Sequence, residues 1–229
     1  MKRNGFKVLL LIITLCMSIA LFSRESNAQN YLPVGPQVDV PVAVVSNGGW
    51  IECFRDTYDN ELNAETVLER CPGDLLMLSC RPTGSSTLTL LAQAPREDVT
   101  FDTGENLDVT HIANGVGWYF NISAPGETDP GENAWGFVRA GDSVNKNNCD
   151  TLESGANDER LCWHLLIGEG GYRCGETEGL NESTAFERIV YTSSLSHPIP
   201  TLSEWGLIAM AGILGLAGLL IARRRKAAA

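Results

Sequence analysis

This sequence has few histidines and lacks the short motifs that identify common enzyme classes. Three histidines occur among its 229 residues. It has no Gly-x-Ser-x-Gly nucleophile elbow, no His-Glu-x-x-His zinc motif and no glycine-rich phosphate loop. These absences exclude the hydrolases, metalloproteases and nucleotide-binding proteins that such motifs define. We therefore expect a non-enzymatic protein.

Basic residues are also scarce in the central part of the chain. Residues 29–205 carry 27 acidic and nine basic side chains, a net charge of −18. A surface of this charge repels phosphate backbones and anionic lipid headgroups. Nucleic acid is therefore not an expected partner.

The N-terminus has the three parts of a secretory signal peptide. Basic residues at positions 2, 3 and 7 precede an apolar stretch at 8–22, and Ser26-Asn27-Ala28 supplies small residues for signal peptidase. We predict cleavage after Ala28, so that residues 1–28 are removed. An uncleaved anchor is the alternative, but the short apolar stretch favours cleavage.

A second apolar run, at residues 205–222, contains no charged side chain. As a helix it would be about 27 Å long, close to the thickness of a bilayer's hydrocarbon core. Trp205 suits the interface at one end. Four cations follow the other end and should remain cytoplasmic: Arg223, Arg224, Arg225 and Lys226. The pattern predicts a transmembrane helix with the body of the protein outside the cytoplasm.

A short motif precedes and overlaps the start of this run. Its residues are Ile199, Pro200, Thr201, Leu202, Trp205 and Gly206. With the apolar run and the basic end, it resembles the IPTL-CTERM sorting signal of Gram-negative envelope proteins. The resemblance implies recognition by an exosortase-like membrane transpeptidase that cleaves near the motif. It implies anchoring in the inner membrane first, then transfer to the cell surface or extracellular matrix. It covers residues 199–229 only.

The remaining chain divides into three parts. We expect a lead-in segment at 29–48, an extracytoplasmic domain at 49–192 and a short spacer at 193–198. A domain of this length can bury its own core.

Six cysteines survive removal of the signal peptide, which suggests three disulfides in an exported protein. They are Cys53, Cys71, Cys80, Cys149, Cys162 and Cys174. Because three lie in each half of the domain, at least one bridge must join the two clusters if all six pair. A zinc site is the alternative, but no Cys-x-x-Cys pair is present.

Short apolar or alternating stretches separated by glycine, proline and asparagine predict a mainly β domain, either a sandwich or barrel-like. One short helix is expected at 64–70, with Asn63 as its N-cap. Strands are predicted near 38–45, 50–58, 74–81, 86–93, 99–101, 115–121, 134–139, 161–167, 172–174 and 185–192.

Several aromatic residues recur in the predicted strands. Exposed rings could stack on sugars, whereas buried rings would form the core of the domain. The candidates for ligand binding are Trp50, Trp118, Tyr119, Trp135 and Trp163.

A polar loop offers oxygen ligands for calcium, although its spacing does not match an EF-hand. The residues are Asp142, Asn145, Asn147, Asn148 and Asp150. Asparagine-rich loops also form ordinary turns.

These observations favour a non-enzymatic envelope or matrix protein that binds a partner, with surface polysaccharide as the leading candidate. The rival is a secreted hydrolase that uses His111 or His164 with a nearby acid. A purely structural matrix subunit is the third hypothesis.

Overall fold

A computed structural model describes residues 31–104, 106–121, 133–150, 157–165 and 172–194, together with Gly212. The chain divides into two compact units, Met1–Ser193 and Ser194–Ala229. The predicted signal peptide, the sorting motif and, apart from Gly212, the predicted membrane span 205–222 lie outside the described residues. Within the described part, no helix has the length and apolar character needed to cross a membrane.

The first unit is mainly β, as predicted, and contains two antiparallel five-stranded sheets. Sheet A has the order β1-β4-β3-β10-β2. Its strands are β1 (Gln37–Pro41), β2 (Ile51–Thr57), β3 (Leu75–Pro82), β4 (Thr87–Pro95) and β10 (Phe186–Ser193). The last strand thus includes one residue that the sequence assigned to the spacer.

Sheet B is a meander in which the strands follow one another in chain order. Its strands are β5 (His111–Ala113), β6 (Val116–Phe120), β7 (Ala134–Arg139), β8 (Leu161–His164) and β9 (Arg173–Cys174). The sequence did not predict β5. Asn114 and Gly115 link it to β6, and both have positive φ (51° and 75°). Two such residues form a tight hairpin turn, and Asn-Gly was the overlooked signal.

The described helices are α1 (Val42–Asn47), α2 (Ala64–Arg70) and α3 (Arg96–Val99). The prediction of α2 is confirmed, and the Asn63 side chain accepts a hydrogen bond from the Thr66 amide at 2.9 Å. The expectation of a single helix is wrong. The predicted strand at 38–45 ends at Pro41, and α1 then buries Val45. Tertiary packing here outweighs the strand preference of valine.

The predicted strand at 99–101 is also wrong, because its first residue ends α3. Pro95 precedes this helix, and Glu97 and Asp98 lie in the first turn. Carboxylates there interact favourably with the helix dipole.

The two sheets pack against each other through one core that contains residues of both, including Leu78 and Val190 from sheet A and Trp135 and Phe137 from sheet B. A smaller cluster on sheet A joins Met77, Ile189 and Tyr191 to Val45 of α1 and to Trp50. Residues 31–48, predicted as a lead-in, therefore contribute an edge strand and a packed helix to the domain.

All six cysteines form disulfides, so the zinc alternative is wrong. The pairs are Cys53–Cys71, Cys80–Cys174 and Cys149–Cys162. Cys80–Cys174 is the bridge between clusters that parity required, and it links β3 of sheet A to β9 of sheet B. Its ends are 94 residues apart. A closed loop of that length contributes about 4–5 kcal/mol in the chain-entropy model.

Candidate functional site

The five aromatic residues considered for ligand binding all lie in the interior. Trp50 is 4% exposed, and the rings of Trp118, Tyr119, Trp135 and Trp163 have no exposed area. Two of the indoles bond inside the core, Trp135 to the Val99 carbonyl (3.1 Å) and Trp163 to the Tyr58 hydroxyl (3.1 Å). Buried rings offer no face to a sugar, so these residues serve the core, the other role that the sequence allowed.

Phe101 is the one aromatic residue of the described chain with an exposed side chain, and half of its area is accessible. Its ring stacks on that of His111, with centroids 4.3 Å apart and planes inclined by 16°. His111 Nε2 lies 2.7 Å from Asp98 Oδ1. We call Phe101, His111 and Asp98 the Phe101 platform. Phe101 is not among the five candidates, because local sequence does not show which aromatic ring is exposed.

The backbone holds Phe101 on both sides. Before it, the Thr100 amide donates to the Arg96 carbonyl (3.0 Å) at the end of α3. After it, Asp102 forms a parallel bridge with Phe120 of β6, and the Thr103 amide donates to the Phe120 carbonyl (2.9 Å). These bonds hold the backbone at Phe101, and stacking on His111 restrains the ring, which lowers the entropic cost of binding.

The same site contains half of the chemistry proposed for a hydrolase. A carboxylate bonded to a histidine can orient the imidazole and stabilise its charged form. His111 and Asp98 are both about one quarter exposed. The pair is thus accessible to a small molecule, although Phe101 covers one face of the imidazole.

His164, the other histidine of the rival hydrolase hypothesis, lies elsewhere. It is in β8, 3% exposed, with its ring centroid 6.4 Å from that of Tyr172. Strands β6 and β7 separate β8 from β5 in sheet B. Three strand spacings amount to roughly 14 Å, so His111 and His164 do not form one site.

The polar loop that offers oxygen ligands for calcium is organised around an arginine. Arg160 Nη1 lies 2.6 Å from Asp150 Oδ2, and its Nη2 lies 3.9 Å from Asp142 Oδ2. The other carboxylate oxygen of Asp150, Oδ1, accepts a hydrogen bond from the backbone amide of Asn145 at 3.1 Å. Calcium would need both of these carboxylates as ligands, and Arg160 already provides their positive partner. The side chains of Asn147 and Asn148 lie outside the described set.

Five of the nine basic residues in 29–205 are buried. They are Arg81, Lys146, Arg160, Arg173 and Arg188, each 5% exposed or less. Arg81 pairs with Glu187 at 2.5 Å, and Lys146 Nζ bonds to the Gly104 carbonyl (2.9 Å) and the Thr103 hydroxyl (3.1 Å). Only two of the acidic residues, Asp150 and Glu187, are buried in the described part of the chain. The accessible surface is therefore more acidic than the composition alone indicates.

Comparison with known proteins identifies the tail. Residues 197–225 match the IPTL-CTERM motif family. This match confirms the resemblance seen in the sequence and indicates a surface protein that is exported, sorted at the membrane and recognised by an exosortase-like enzyme. No curated protein and no solved structure matches the chain.

Proposed function

We propose that this protein is displayed on the cell surface or in the extracellular matrix of a Gram-negative bacterium, where its ectodomain binds glycan without catalysing a reaction. The sorting motif supports the location. The observation that carries the binding role is the exposed ring of Phe101, stacked on His111 and held by backbone bonds on both sides.

Binding would combine an apolar ring contact with hydrogen bonds to carboxylates. The open face of Phe101 would pack against the C–H groups of a sugar ring, and carboxylates near it would accept hydrogen bonds from hydroxyls. A rigid aromatic contact of this kind is worth roughly 1–3 kcal/mol.

The test is binding of the mature protein to a panel of purified polysaccharides, with and without calcium. Phe101→Ala should weaken binding about tenfold, as expected for the loss of about 1.4 kcal/mol. Ile51→Ala is the matched control, since Ile51 is 68% exposed in β2 of the other sheet. Equal loss in both variants, or no binding to any polysaccharide, contradicts the proposal.

A hydrolase that uses His111 is the second candidate, and the 2.7 Å contact with Asp98 favours it. A broad hydrolase panel distinguishes the two functions. Turnover that disappears in His111→Ala and Asp98→Asn, but persists in His164→Ala, would favour catalysis. Binding without turnover favours the proposal above.

A further inference from the structure

We infer that the Phe101 platform recognises a positively charged glycan, namely a polysaccharide whose amino sugars carry free amines. This inference rests on the proposed glycan-binding function and specifies the ligand class for the same site. Three observations support it: the acidic residues around the platform, the burial of most basic residues, and the accessible aromatic face.

The chain segments that build the platform are rich in carboxylates. Glu97 and Asp98 belong to α3, Asp102 directly follows Phe101, and Asp108 precedes β5 by three residues. Asp98 is paired with His111, so the exposed carboxylates near a sugar seated on Phe101 are those of Glu97, Asp102 and Asp108. Carboxylates attract an ammonium group and form short charge-assisted hydrogen bonds with it.

Two cations lie near this region, Arg96 in α3 and Lys146 beside Thr103, and both form internal hydrogen bonds. The Arg96 guanidinium donates to the carbonyls of Leu68 (2.7 Å) and Cys71, at the end of α2. Lys146 interacts electrostatically with Asp102 and Asp108, but it is 1% exposed and bonded to Thr103 and Gly104. Neither side chain is positioned to bind an anionic sugar at the surface.

The charge of the domain acts in the same direction. Four of the nine basic residues remain outside the buried set, against a far larger number of acidic residues. The Debye length is about 10 Å at 0.1 M salt, so neighbouring acidic side chains act together on a ligand. They repel uronate or sulfate polymers and attract a polycation.

The aromatic ring adds selectivity for a cation. An ammonium group over the face of phenylalanine is attracted by the ring's quadrupole, and the contact gains strength where water is excluded. Phe101 already has His111 on one face, which leaves the other face for the ligand. A neutral sugar would use the stacking alone, whereas an amino sugar would use stacking, cation–π attraction and the carboxylates.

The experiment compares three polymers with the mature protein: a deacetylated glucosamine polymer, the same polymer after full N-acetylation, and a polyuronate. The deacetylated polymer should bind at least tenfold more tightly than the acetylated one. Added salt should weaken that binding, since screening reduces the charge contribution. The polyuronate should not bind.

Variants connect the charge preference to this site. Glu97→Gln and Asp108→Asn should each weaken binding of the deacetylated polymer severalfold, and Phe101→Ala about tenfold. Glu182→Gln is the matched control, because it removes the same charge far from the platform. Glu182 lies near the turn between β3 and β4, at the end of sheet A opposite α3, where the Thr83 hydroxyl donates to the Thr184 carbonyl.

The possible failures are distinguishable. Equal binding of the acetylated polymer, still dependent on Phe101, would overturn the cationic ligand and leave the proposed glycan-binding function intact. Binding of neither polymer would overturn both. Tight binding of polylysine that does not depend on Phe101 would also overturn the inference, because it would show attraction to surface charge without sugar recognition.

Discussion

Asn114 is a single residue that joins three parts of the domain. It has a φ of 51° in the turn between β5 and β6. Its side-chain Nδ2 donates to the Pro33 and Gln93 carbonyls, each at 2.8 Å, and its backbone carbonyl accepts from the Gly35 amide at 2.8 Å. The turn therefore fixes the N-terminal segment and connects it to β4 of sheet A.

We expect Asn114→Ala to lower the free energy of unfolding by about 2 kcal/mol, from two lost hydrogen bonds and the cost of a positive φ for alanine. Chemical denaturation under non-reducing conditions measures this. Asn114→Gly is the control, since glycine accepts the backbone angle but lacks the side-chain bonds. If the glycine variant were as stable as the original protein, the hydrogen bonds would contribute nothing.

Lys146 should make the free energy of unfolding depend on pH in the alkaline range. Burial lowers the pKa of its ammonium to about 8, while nearby Asp102 and Asp108 partly oppose that shift. The unfolded lysine has a pKa near 10.4, so the unfolded state binds more protons in the window between about 8 and 10.4. The free energy of unfolding therefore rises with pH in this window, by at most about 1.4 kcal/mol per pH unit from this group.

The measurement is urea denaturation from pH 7.5 to 9.5 for the original protein and for Lys146→Met. The variant should lose this upward contribution to the slope. The six cysteines of the described domain are all paired, so this domain supplies no thiol to start exchange between disulfides. Identical slopes in the two proteins would contradict the expectation.

At the level of elements, each sheet edge has a feature that opposes the addition of another strand. Strand β2 has a bulge opposite Val190 and Tyr191, and this places Glu52 and Arg55 2.6 Å apart on one face. Pro36 precedes strand β1 and Pro41 is its last residue, and Asp39 within it has a φ of 53°. Strands β5 and β9 have three and two residues. Bulges, charges, prolines and short lengths are the usual protections of β-edges.

The mature protein should therefore stay monomeric at all attainable concentrations without ligand. Sedimentation velocity measures this. Assembly that converts the edges into continuous sheets would favour the third hypothesis, a structural matrix subunit. Ligand-induced association would not, because a polymer can hold several copies together.

The helices show what could be predicted from local sequence. Helix α2 was predicted with its N-cap because a capping asparagine, a helical stretch and Pro72-Gly73 act within a few residues. Helices α1 and α3 were missed. The valines of α1 favour a strand, whereas packing of Val45 into the smaller cluster on sheet A favours the helical backbone. The local signals for α3, namely Pro95 and two acidic residues in the first turn, belong to a helix of only four residues.

At the level of the whole molecule, the tail should direct processing. Changing Pro200 and Trp205 together to alanine should leave the full-length form, with residues 29–229, in the membrane, because two signature residues of the sorting motif are lost. Intact mass of the protein from its own cells measures this, before and after reduction and alkylation. Ser203→Ala is the control, as Ser203 is not a signature residue. Unchanged processing of the double variant would contradict recognition through the motif.

The sequence by itself determined the sorting tail, the mainly β class and the number of disulfides, including the need for a bridge between the two cysteine clusters. These properties depend on short contiguous motifs, on alternation along the chain and on counting. The sorting enzyme reads a linear segment, so no fold is needed to see its signal.

Only the tertiary structure decided which aromatic residue faces solvent and which charges are satisfied internally. The five candidate aromatics lie in the core, Phe101 is the exposed ring, and Arg160 pairs with the carboxylates of the polar loop considered for calcium. Burial and ion pairing arise from residues far apart in the chain, brought together when the two sheets pack. A side chain's type is therefore insufficient to determine its role here.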